Sequence, residues 1–468
     1  MKLALIGGGG VRAPLFVQSA LRRADNIGLN EICLMDTNQA QLDIFGGLCR
    51  HLARRGNSPV TISTTTDVNV ALQGAKFVVT TIRPGGIDGR IIDEDIALRH
   101  GVLGQETTGA GGFAMALRSI PVILQYAEKM TQICPDAWLL NFTNPAGLVT
   151  QALRNAGFSR SVGICDSANG AQNAVAAWLG LDPQSVAADL FGLNHLSFSR
   201  AVTVKGRNVL SELLANDEFL NKTSLNVFEP DVVRIHNMWI NEYLYYFYYA
   251  DKALTAQQSG GARGREIKAL NVELNQQLAA IDPNADPDAA LQIYFNYENR
   301  RSGSYMKSAW QDRSTLAAHA GKAESDGEGY AGVALDIISA LSGGPEIHTG
   351  LNVPNGDTII GLRPDDVVEV TCRIDSNGIH PKPVGAMPEG QSYLVQSVKR
   401  YERLTVEAVA DRNRTLAVEA LVAHPLVQTY SRAKPLVADY LDAHSAYTQG
   451  WSLSDADGLA QLRRSGCW

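Results

Sequence analysis

The N-terminal stretch LALIGGGGVRA (residues 3–13) decides the fold class that the sequence predicts. Its first four residues are apolar and typical of a short buried strand, and four glycines follow at once. Gly8, Gly10 and Ala13 match the spacing G-x-G-x-x-G/A, in which glycines let the backbone approach a pyrophosphate and the following helix directs its N–H groups at it. A tight turn in an unrelated α/β fold can show the same spacing, so the prediction depends on the flanking strand and helix.

A second feature of dinucleotide sites follows at the expected distance. The apolar run Ile32–Leu34 reads as the next strand, and it ends in Met35 and Asp36. An acidic side chain at this point can accept hydrogen bonds from a ribose hydroxyl and would repel a 2′-phosphate. We therefore predict that NAD, rather than NADP, binds here. The residues predicted to bind it are Gly7, Gly8, Gly9, Gly10 and Asp36.

Short apolar runs alternate with helical patterns over the first 165 residues. Such alternation predicts a mostly parallel sheet with helices on both faces, which is a Rossmann-like, doubly wound α/β domain over residues 1–165. Residues 166–468 lack this alternation and predict an α+β domain. The predicted strands of the first domain are Leu3–Ile6, Ile32–Leu34, Phe77–Ile82, Trp138–Phe142 and Val162–Ile164. Its clearest helical patterns cover Leu15–Arg23 and Gln39–Arg54.

The second half also carries local predictions. Residues 230–340 look mainly helical, and residues 346–372 alternate turns with strand-like runs. Helices are predicted over Ala171–Leu181, Tyr401–Ala423 and Ala433–Ala443, a hairpin over Ser199–Val209 with Gly206 near its turn, and a loop over Ile281–Pro287.

Composition bounds the functional classes. The chain has 468 residues, of which 45% are hydrophobic and 19% charged, which excludes a largely disordered or fibrous protein. Its 41 basic and 48 acidic residues give a net charge of −7, and the absence of an extended basic run argues against nucleic acid as a partner. Six scattered cysteines without a CxxC pair favour the reducing cytoplasm. The apolar runs are too short for a signal peptide or a membrane span, so we expect no membrane association.

Two residues after predicted strands could bind a metal. Cys165 ends the strand VGIC, and His195 lies in FGLNHLSF after another strand-like stretch. A thiolate and an imidazole suit a first-row metal, and ligand chemistry collects at the carboxyl ends of parallel strands. Single Cys and His residues are more often inert packing or satisfied hydrogen-bonding groups. The spacing alone therefore favours packing or hydrogen bonding, and not metal binding, for Cys165 and His195.

Two further motifs contain chemically active side chains. Tyr243 opens the aromatic part of EYLYYFYY (residues 242–249), where a buried helix face is the preferred interpretation for residues 245–249. A tyrosine that acts as a base needs its pKa lowered far below about 10, which a nearby cation would do. Arg263 and Arg265 lie in the glycine-flanked GARGR, where a phosphate site and a solvated loop are both open interpretations.

Several motifs occur in one order between residue 1 and residue 445. As a set they resemble glycoside hydrolase family 4, and within that family they resemble the 6-phospho-glucosidases. They are the glycine loop, LRHGVLGQETTGAGG (98–112), LLNFTNPAGLVT (139–150), GICDSANG (163–170), FGLNHLSF (191–198), NEYLYYF (241–247), GGAR (260–263), RYERLTVEAV (400–409) and VAHPLV (422–427).

The resemblance implies an enzyme that uses NAD⁺ and a divalent metal, usually Mn²⁺, in place of two catalytic carboxylates. In this family the cofactor takes hydride from C3 of the sugar, and the resulting ketone acidifies the C2 proton. A base removes that proton, the C1–O bond breaks by elimination, water adds, and NADH returns the hydride. The implied substrate is a glucoside 6-phosphate or phosphorylated disaccharide, and the implied assembly is a homodimer or homotetramer.

Matching the motifs residue by residue implies the individual roles. Cys165 and His195 match the metal ligands, and Tyr243 matches the base at C2. A bound metal would favour the tyrosinate form. The weaker matches to substrate-contacting positions are Asn144, Arg83 and, for the phosphate, Arg263.

The chain departs from the family pattern at two motifs. The α-selective enzymes resemble C-D-M-P, in which the Asp is the general acid, and the β-selective ones resemble C-N-x-P. This chain reads Cys165-Asp166-Ser167-Ala168, so Asp166 is a candidate general acid, although the remaining motifs look more like the β-type. In the glycine loop, Gly10 and Ala13 stand where relatives usually carry Ser and Thr, so we expect weaker NAD binding.

We therefore predict a 6-phospho-β-glucosidase and keep three alternatives. The first is a 6-phospho-α-glucosidase of the same family. The second is an NAD-dependent 2-hydroxy-acid dehydrogenase, which would share the first domain but release NADH and need no metal. The third is a non-enzymatic NAD-binding sensor or scaffold, which Cys165, His195 and Tyr243 argue against.

Overall fold

The computed structural model describes residues 1–281, 283, 285–307, 309–310 and 329–451. The strands are β1 (Lys2–Ile6), β2 (Glu31–Met35), β3 (Thr61–Thr65), β4 (Ala75–Thr80), β5 (Trp138–Asn141), β6 (Ser161–Gly163), β7 (Val186–Leu193), β8 (Leu196–Val204), β9 (Arg207–Asn208), β10 (Trp239–Ile240), β11 (Ile347–Pro354), β12 (Ile359–Ile360), β13 (Val367–Asp375), β14 (Gly378–Pro381) and β15 (Gly385–Ala386).

The longer helices surround these strands, with several short helices between them. The helices are α1 (Ala13–Arg22), α2 (Ala24–Ile27), α3 (Gln39–Arg55), α4 (Val68–Leu72), α5 (Gly86–Arg99), α6 (Ala110–Ile133), α7 (Ala146–Asn155), α8 (Gly170–Leu179), α9 (Leu210–Leu214), α10 (Asp217–Lys222), α11 (Pro230–His236), α12 (Tyr245–Tyr248), α13 (Ala250–Gly260), α14 (Arg263–Ala279), α15 (Pro287–Gly303), α16 (Gly329–Leu341), α17 (Glu389–Asp411), α18 (Arg414–Ala423) and α19 (Tyr430–Ala443).

Six parallel strands form the N-terminal half of the main sheet in the order β3-β2-β1-β4-β5-β6. This is the strand order of the Rossmann fold, so the predicted fold class is confirmed. The five predicted strands all form, each within two residues of its expected ends. The sequence patterns miss β3 because its residues, TISTT, are mostly polar and only Ile62 is buried.

The main sheet does not stop at the end of the first domain. Strand β11 joins β6 in antiparallel orientation through the pair Asn352 and Gly163, and β13 and β14 extend the sheet further. One nine-stranded sheet therefore contains strands from both sides of residue 165. The division into domains at residues 165 and 166 stays a prediction.

A smaller antiparallel sheet carries the segment FGLNHLSF. Strands β7 and β8 form a hairpin whose two-residue turn is Asn194-His195, because Leu193 pairs with Leu196. The predicted hairpin over Ser199–Val209 is confirmed at its Gly206 turn, where β8 pairs with β9. Its first strand begins earlier than predicted, at Leu196.

Two predicted boundaries are wrong in the second half. The helical pattern Tyr401–Ala423 contains two helices, α17 and α18, because Arg412 takes a left-handed φ of 51° and the Asn413 side chain caps the next helix. The loop predicted over residues 281–287 ends one residue earlier, since Pro287 begins α15. Within the predicted loop over residues 281–287 and the mainly helical stretch 230–340, residues 282, 284, 308 and 311–328 lie outside the described residues.

Apolar side chains from both halves form one extended core around the main sheet. A second, smaller cluster joins α3 to α14 and α15, so the helix that carries Arg263 packs directly on the N-terminal half. Among the described helices, none combines the length and apolar composition needed to cross a membrane.

Candidate active site

Several of the predicted site residues follow parallel strands of the main sheet. The glycine loop follows β1, Arg83 follows β4, Asn144 follows β5 and Cys165 follows β6. Because these strands are parallel and adjacent, their carboxyl ends lie along one edge of the sheet. The fold therefore places the glycine loop, Arg83, Asn144 and Cys165 on the same side of the sheet.

The glycine loop is packed too tightly for side chains. A Cβ atom on Gly8 would lie 2.7 Å from the Cα of Leu34 in β2, so only glycine fits there. The backbone N–H of Gly9 donates to Oδ2 of Asp36 over 3.1 Å. The Asp36 carboxylate thus holds the loop against the end of β2, at the position where an acidic residue meets a ribose in dinucleotide sites.

Cys165 and His195 meet although 30 residues separate them. Cys165 Sγ lies 3.4 Å from His195 Nε2, and both residues are buried. His195 has a left-handed φ of 62°, an unusual conformation for a residue other than glycine, which the tight hairpin turn imposes. Such conformations cluster at functional sites, which agrees with a binding role for this turn.

The chemistry of this pair fits a divalent metal ion. Bonds of about 2.3 Å from metal to sulfur and 2.0–2.1 Å to nitrogen, as in zinc sites, can span the separation of the two atoms. Burial lowers the pKa of His195 to about 4, so its imidazole is neutral and offers a lone pair. Burial and the neighbouring Asp166 raise the pKa of the Cys165 thiol, which must lose its proton when a metal binds. In the described part of the chain, no group of three or more His, Cys, Asp and Glu residues forms a closed metal site.

Tyr243 lies against this pair. Its ring stacks on the ring of His195 with centroids 3.7 Å apart. Burial raises the pKa of Tyr243 well above its ordinary value, and a hydrogen bond with Tyr305 acts in the opposite direction. Arg90 and Arg263 are close enough to interact electrostatically with the phenol. The cations whose positions the sequence could not show are therefore present near Tyr243. In the protein without a metal, burial nevertheless keeps the pKa of Tyr243 high.

The rest of the aromatic run only partly forms the predicted buried face. Tyr245 and Tyr249 are buried, whereas Tyr248 is 37% exposed. The prediction is wrong for Tyr248 because α12 is one turn long and directs successive side chains to different sides.

Asp166 and Asn144 border the site in different settings. Asp166 is exposed and its Oδ1 lies 3.8 Å from Cys165 Sγ, so its carboxyl group is both next to the pair and open to solvent. Asn144 is half-buried in the loop between β5 and α7. Its side chain lies at the edge of the sheet, where the resemblance places substrate contacts.

A largely buried carboxylate, that of Glu106, lies among the arginines of the site. Glu106 Oε2 lies 2.8 Å from Arg83 Nη1 and 2.7 Å from Arg90 Nη1. Burial opposes ionisation of Glu106, yet Arg83, Arg90 and Arg263 together hold the pKa of its carboxyl well below the ordinary value. The cluster therefore contains one fixed negative charge among several positive charges.

Arg263 and Arg265 differ sharply despite their shared motif. Arg263 Nη2 donates to the carbonyl oxygen of Arg301 and to Oγ of Ser304, and its buried Nε has no hydrogen-bond acceptor among the described residues. Arg265 is exposed and pairs with Asp95. A buried donor without an acceptor is costly, so Arg263 is the better anion site.

Several members of the site are absent from the sequence predictions. Glu106, Arg90 and Thr107 belong to it by contact, and Glu106 and Thr107 lie within the quoted motif LRHGVLGQETTGAGG. Two threonines after a Gln-Glu pair, followed by a glycine-rich helix start, are a signal for a tight polar loop. Nothing in the local pattern shows that this loop faces His195.

Comparison with known proteins identifies the class. The model for the family 4 glycosyl hydrolases matches residues 2–181, and the model for the C-terminal domain of this family matches residues 190–427. The chain therefore belongs to family 4 of the glycosyl hydrolases.

Individual relatives span the whole chain. It is 31% identical to a probable 6-phospho-beta-glucosidase of Bacillus subtilis over 96% of this chain and 97% of that protein. It is 29% identical to the 6-phospho-beta-glucosidase of Escherichia coli over 99% of both. The 6-phospho-beta glucosidase of Thermotoga maritima, solved with manganese, NAD⁺ and glucose-6-phosphate, superposes with a TM-score of 0.79 and 26% identity over 96% of this chain and 99% of that one.

Proposed function

We propose that this protein is an NAD- and divalent-metal-dependent 6-phospho-β-glucosidase. The observation that carries the proposal is the 3.4 Å approach of Cys165 Sγ to His195 Nε2, with the buried Tyr243 stacked on the histidine. The names of the relatives support the substrate class, and the bound ligands of the Thermotoga maritima enzyme support the cofactors.

In this proposal, separate groups of residues bind the cofactor and the metal ion. When bound, NAD⁺ supplies a reversible hydride acceptor and Mn²⁺ or another divalent ion supplies a Lewis acid for sugar oxygens. Gly7, Gly8, Gly9 and Gly10 bind the pyrophosphate, with Asp36 at the ribose, and Cys165 and His195 hold the ion.

Two side chains move protons in this proposal. The Tyr243 phenolate oxygen takes the proton from C2 of the sugar, and Asp166 gives a proton to the departing glycosidic oxygen. The position of Asp166 supports this role, because its carboxyl lies next to Cys165, with Oδ1 3.8 Å from Sγ. Arg83 and Asn144 orient the sugar, and the free Nε–H of Arg263 donates to the 6-phosphate.

A chromogenic β-glucoside 6-phosphate tests the function directly. With NAD⁺ and Mn²⁺ present, we expect steady release of the aglycone without net formation of NADH, since hydride returns in each turnover. Net NADH without aglycone release would instead identify a dehydrogenase. Binding of NAD⁺ without either product, across both anomers, would identify a sensor.

The α-anomer is the second candidate, and Asp166 is the observation that favours it. The α-selective members carry an Asp after the metal-binding Cys, as this chain does at Cys165-Asp166. The same assay with the α-glucoside 6-phosphate distinguishes the α-selective from the β-selective function. Faster release from the α-anomer would replace the β assignment without changing the metal or cofactor roles.

Two finer points belong to the same proposal. A sugar 6-phosphate is usually delivered by phosphorylating uptake, so we expect the enzyme to act in the cytoplasm, and cell fractionation tests this. We also expect a homodimer or homotetramer, and sedimentation velocity of the purified protein would contradict this by showing a monomer.

A further inference from the structure

A chain of hydrogen bonds leads away from the far side of His195. Its Nδ1 lies 3.0 Å from Oγ1 of Thr107, and that hydroxyl donates to Oε1 of Gln105 over 3.1 Å. The same Gln105 oxygen accepts the backbone N–H groups of Thr107 and Thr108, each over 2.6 Å. Three donors thus meet one side-chain oxygen.

These contacts lead to one consistent placement of the hydrogen atoms. Backbone N–H groups only donate, so the Gln105 atom that receives them is the carbonyl oxygen and not the amide nitrogen. The single hydrogen of the Thr107 hydroxyl points to that oxygen, so the hydroxyl can only accept from His195. His195 therefore carries its proton on Nδ1, which leaves the lone pair of Nε2 directed at Cys165.

The loop that carries Gln105 and Thr107 is held in place by the start of α6. A Cβ atom on Gly111 would lie 2.0 Å from the carbonyl oxygen of Gln105, so glycine at this position permits direct contact between helix and loop. Gln105 is 8% exposed. The hydrogen-bonded chain is consequently attached to a rigid helix rather than to a solvent-exposed loop.

We infer that Thr107 and Gln105 are positioning residues that select the tautomer and orientation of His195 for metal binding. The inference rests on the proposed function, because it concerns the ion held by Cys165 and His195. Partners of this kind, which bond to the second nitrogen of a metal-binding histidine, typically contribute 10–100-fold to metal affinity. Thr107 is the more direct test, because Gln105 also satisfies two backbone groups.

The test measures Mn²⁺ affinity without turnover. The electron paramagnetic resonance signal of unbound Mn²⁺ is followed as the ion is titrated into wild-type protein and into Thr107→Val, Thr107→Ala and Thr107→Ser. We expect the dissociation constant to rise about 10–100-fold in the first two variants and to stay within about threefold in Thr107→Ser, which keeps the hydroxyl. Thr108→Val is the matched control, since Thr108 bonds to Gln105 through its backbone N–H.

Circular dichroism and NADH binding establish that each variant is folded. One folded variant, either Thr107→Val or Thr107→Ala, is sufficient for the test. Wild-type Mn²⁺ affinity in that variant would overturn the positioning role, as would equal losses in Thr107→Ser and Thr107→Val. The variant Cys165→Ser distinguishes a failure of the positioning role from a failure of the proposed function. If Cys165→Ser binds Mn²⁺ as tightly as the wild type does, the metal site itself is wrong, and the inference falls with it.

Discussion

The ring of Tyr243 lies flat on the ring of His195, with centroids 3.7 Å apart and planes only 5° from parallel. The stack places a candidate base and a candidate metal ligand in direct contact. A phenylalanine would keep this contact and lose only the phenol oxygen, so stacking and proton transfer can be separated by one substitution.

We expect Tyr243→Phe to lower kcat about 10²–10⁴-fold while Mn²⁺ affinity stays near the wild-type value, since general base catalysis has that magnitude. Tyr245→Phe is the matched control from the same aromatic run, because Tyr245 packs on Tyr249 instead of His195. Steady-state kinetics and exchange of the C2 hydrogen with deuterated solvent provide the measurement. Wild-type exchange in Tyr243→Phe would remove Tyr243 from the role of base.

Arg263 and Arg265 offer a matched pair for the phosphate site. We expect Arg263→Gln to lower kcat/KM for the 6-phosphorylated substrate about 10–100-fold, because a hydrogen bond to a charged group contributes about 1.5–3 kcal/mol. Arg265→Gln should leave it near the wild-type value, since Arg265 is on the surface with Asp95. Equal effects of the two substitutions would show that Arg263 does not bind the phosphate.

Glu106 neutralises the arginines around it. Replacing it with Gln removes the carboxylate partner of the partly exposed Arg83 and one of the two carboxylate partners of the buried Arg90, which keeps Glu94. We therefore expect Glu106→Gln to lower the free energy of unfolding by about 1–3 kcal/mol in urea titrations. Inorganic phosphate should raise the melting temperature of this variant more than that of the wild type, because the anion replaces the lost charge. Glu273→Gln removes an exposed partner of Arg300 and should have little effect. A similar result for both substitutions would contradict the role of Glu106.

From the burial of His424 we predict that the folded protein loses stability as the pH falls. Burial lowers its pKa to about 3, and its Nδ1 accepts the backbone N–H of Leu426. The unfolded chain takes up a proton on this residue below about pH 6.5, whereas the folded protein does not do so until about pH 3. Between these values the free energy of unfolding therefore falls as the pH falls, by about 1.4 kcal/mol per pH unit for this group.

His424→Asn keeps an acceptor for Leu426 and removes the titration, so its stability should fall less steeply than that of the wild type. Urea unfolding at about pH 6.5, 5.5 and 4.5 gives the slopes. The exposed His348, changed to Asn, is the control. Identical slopes for wild type and His424→Asn would show that His424 does not contribute.

Much of the fold could be predicted because it depends on short-range patterns. Buried parallel strands such as β1 and β5 are short apolar runs with turn residues at their ends, and these are readable locally. Strand β3 could not be recognised, because its polar residues are held by pairing with β2 and not by their own burial. The break at Arg412 was hidden because the apolar spacing of a helix continues on both sides of it; the N-cap residue Asn413 was the local signal for a new helix.

The amino-acid sequence by itself determined the glycine loop after β1, the acidic residue after β2 and the family motifs, because backbone freedom at glycine and the alternation of strands and helices act over a few residues. Only the tertiary structure decided that Cys165 meets His195, that Tyr243 stacks on that histidine, and that Glu106 gathers the arginines. Those contacts join residues from different strands and loops, and their distances depend on how the two sheets and the helices pack together rather than on any spacing along the chain.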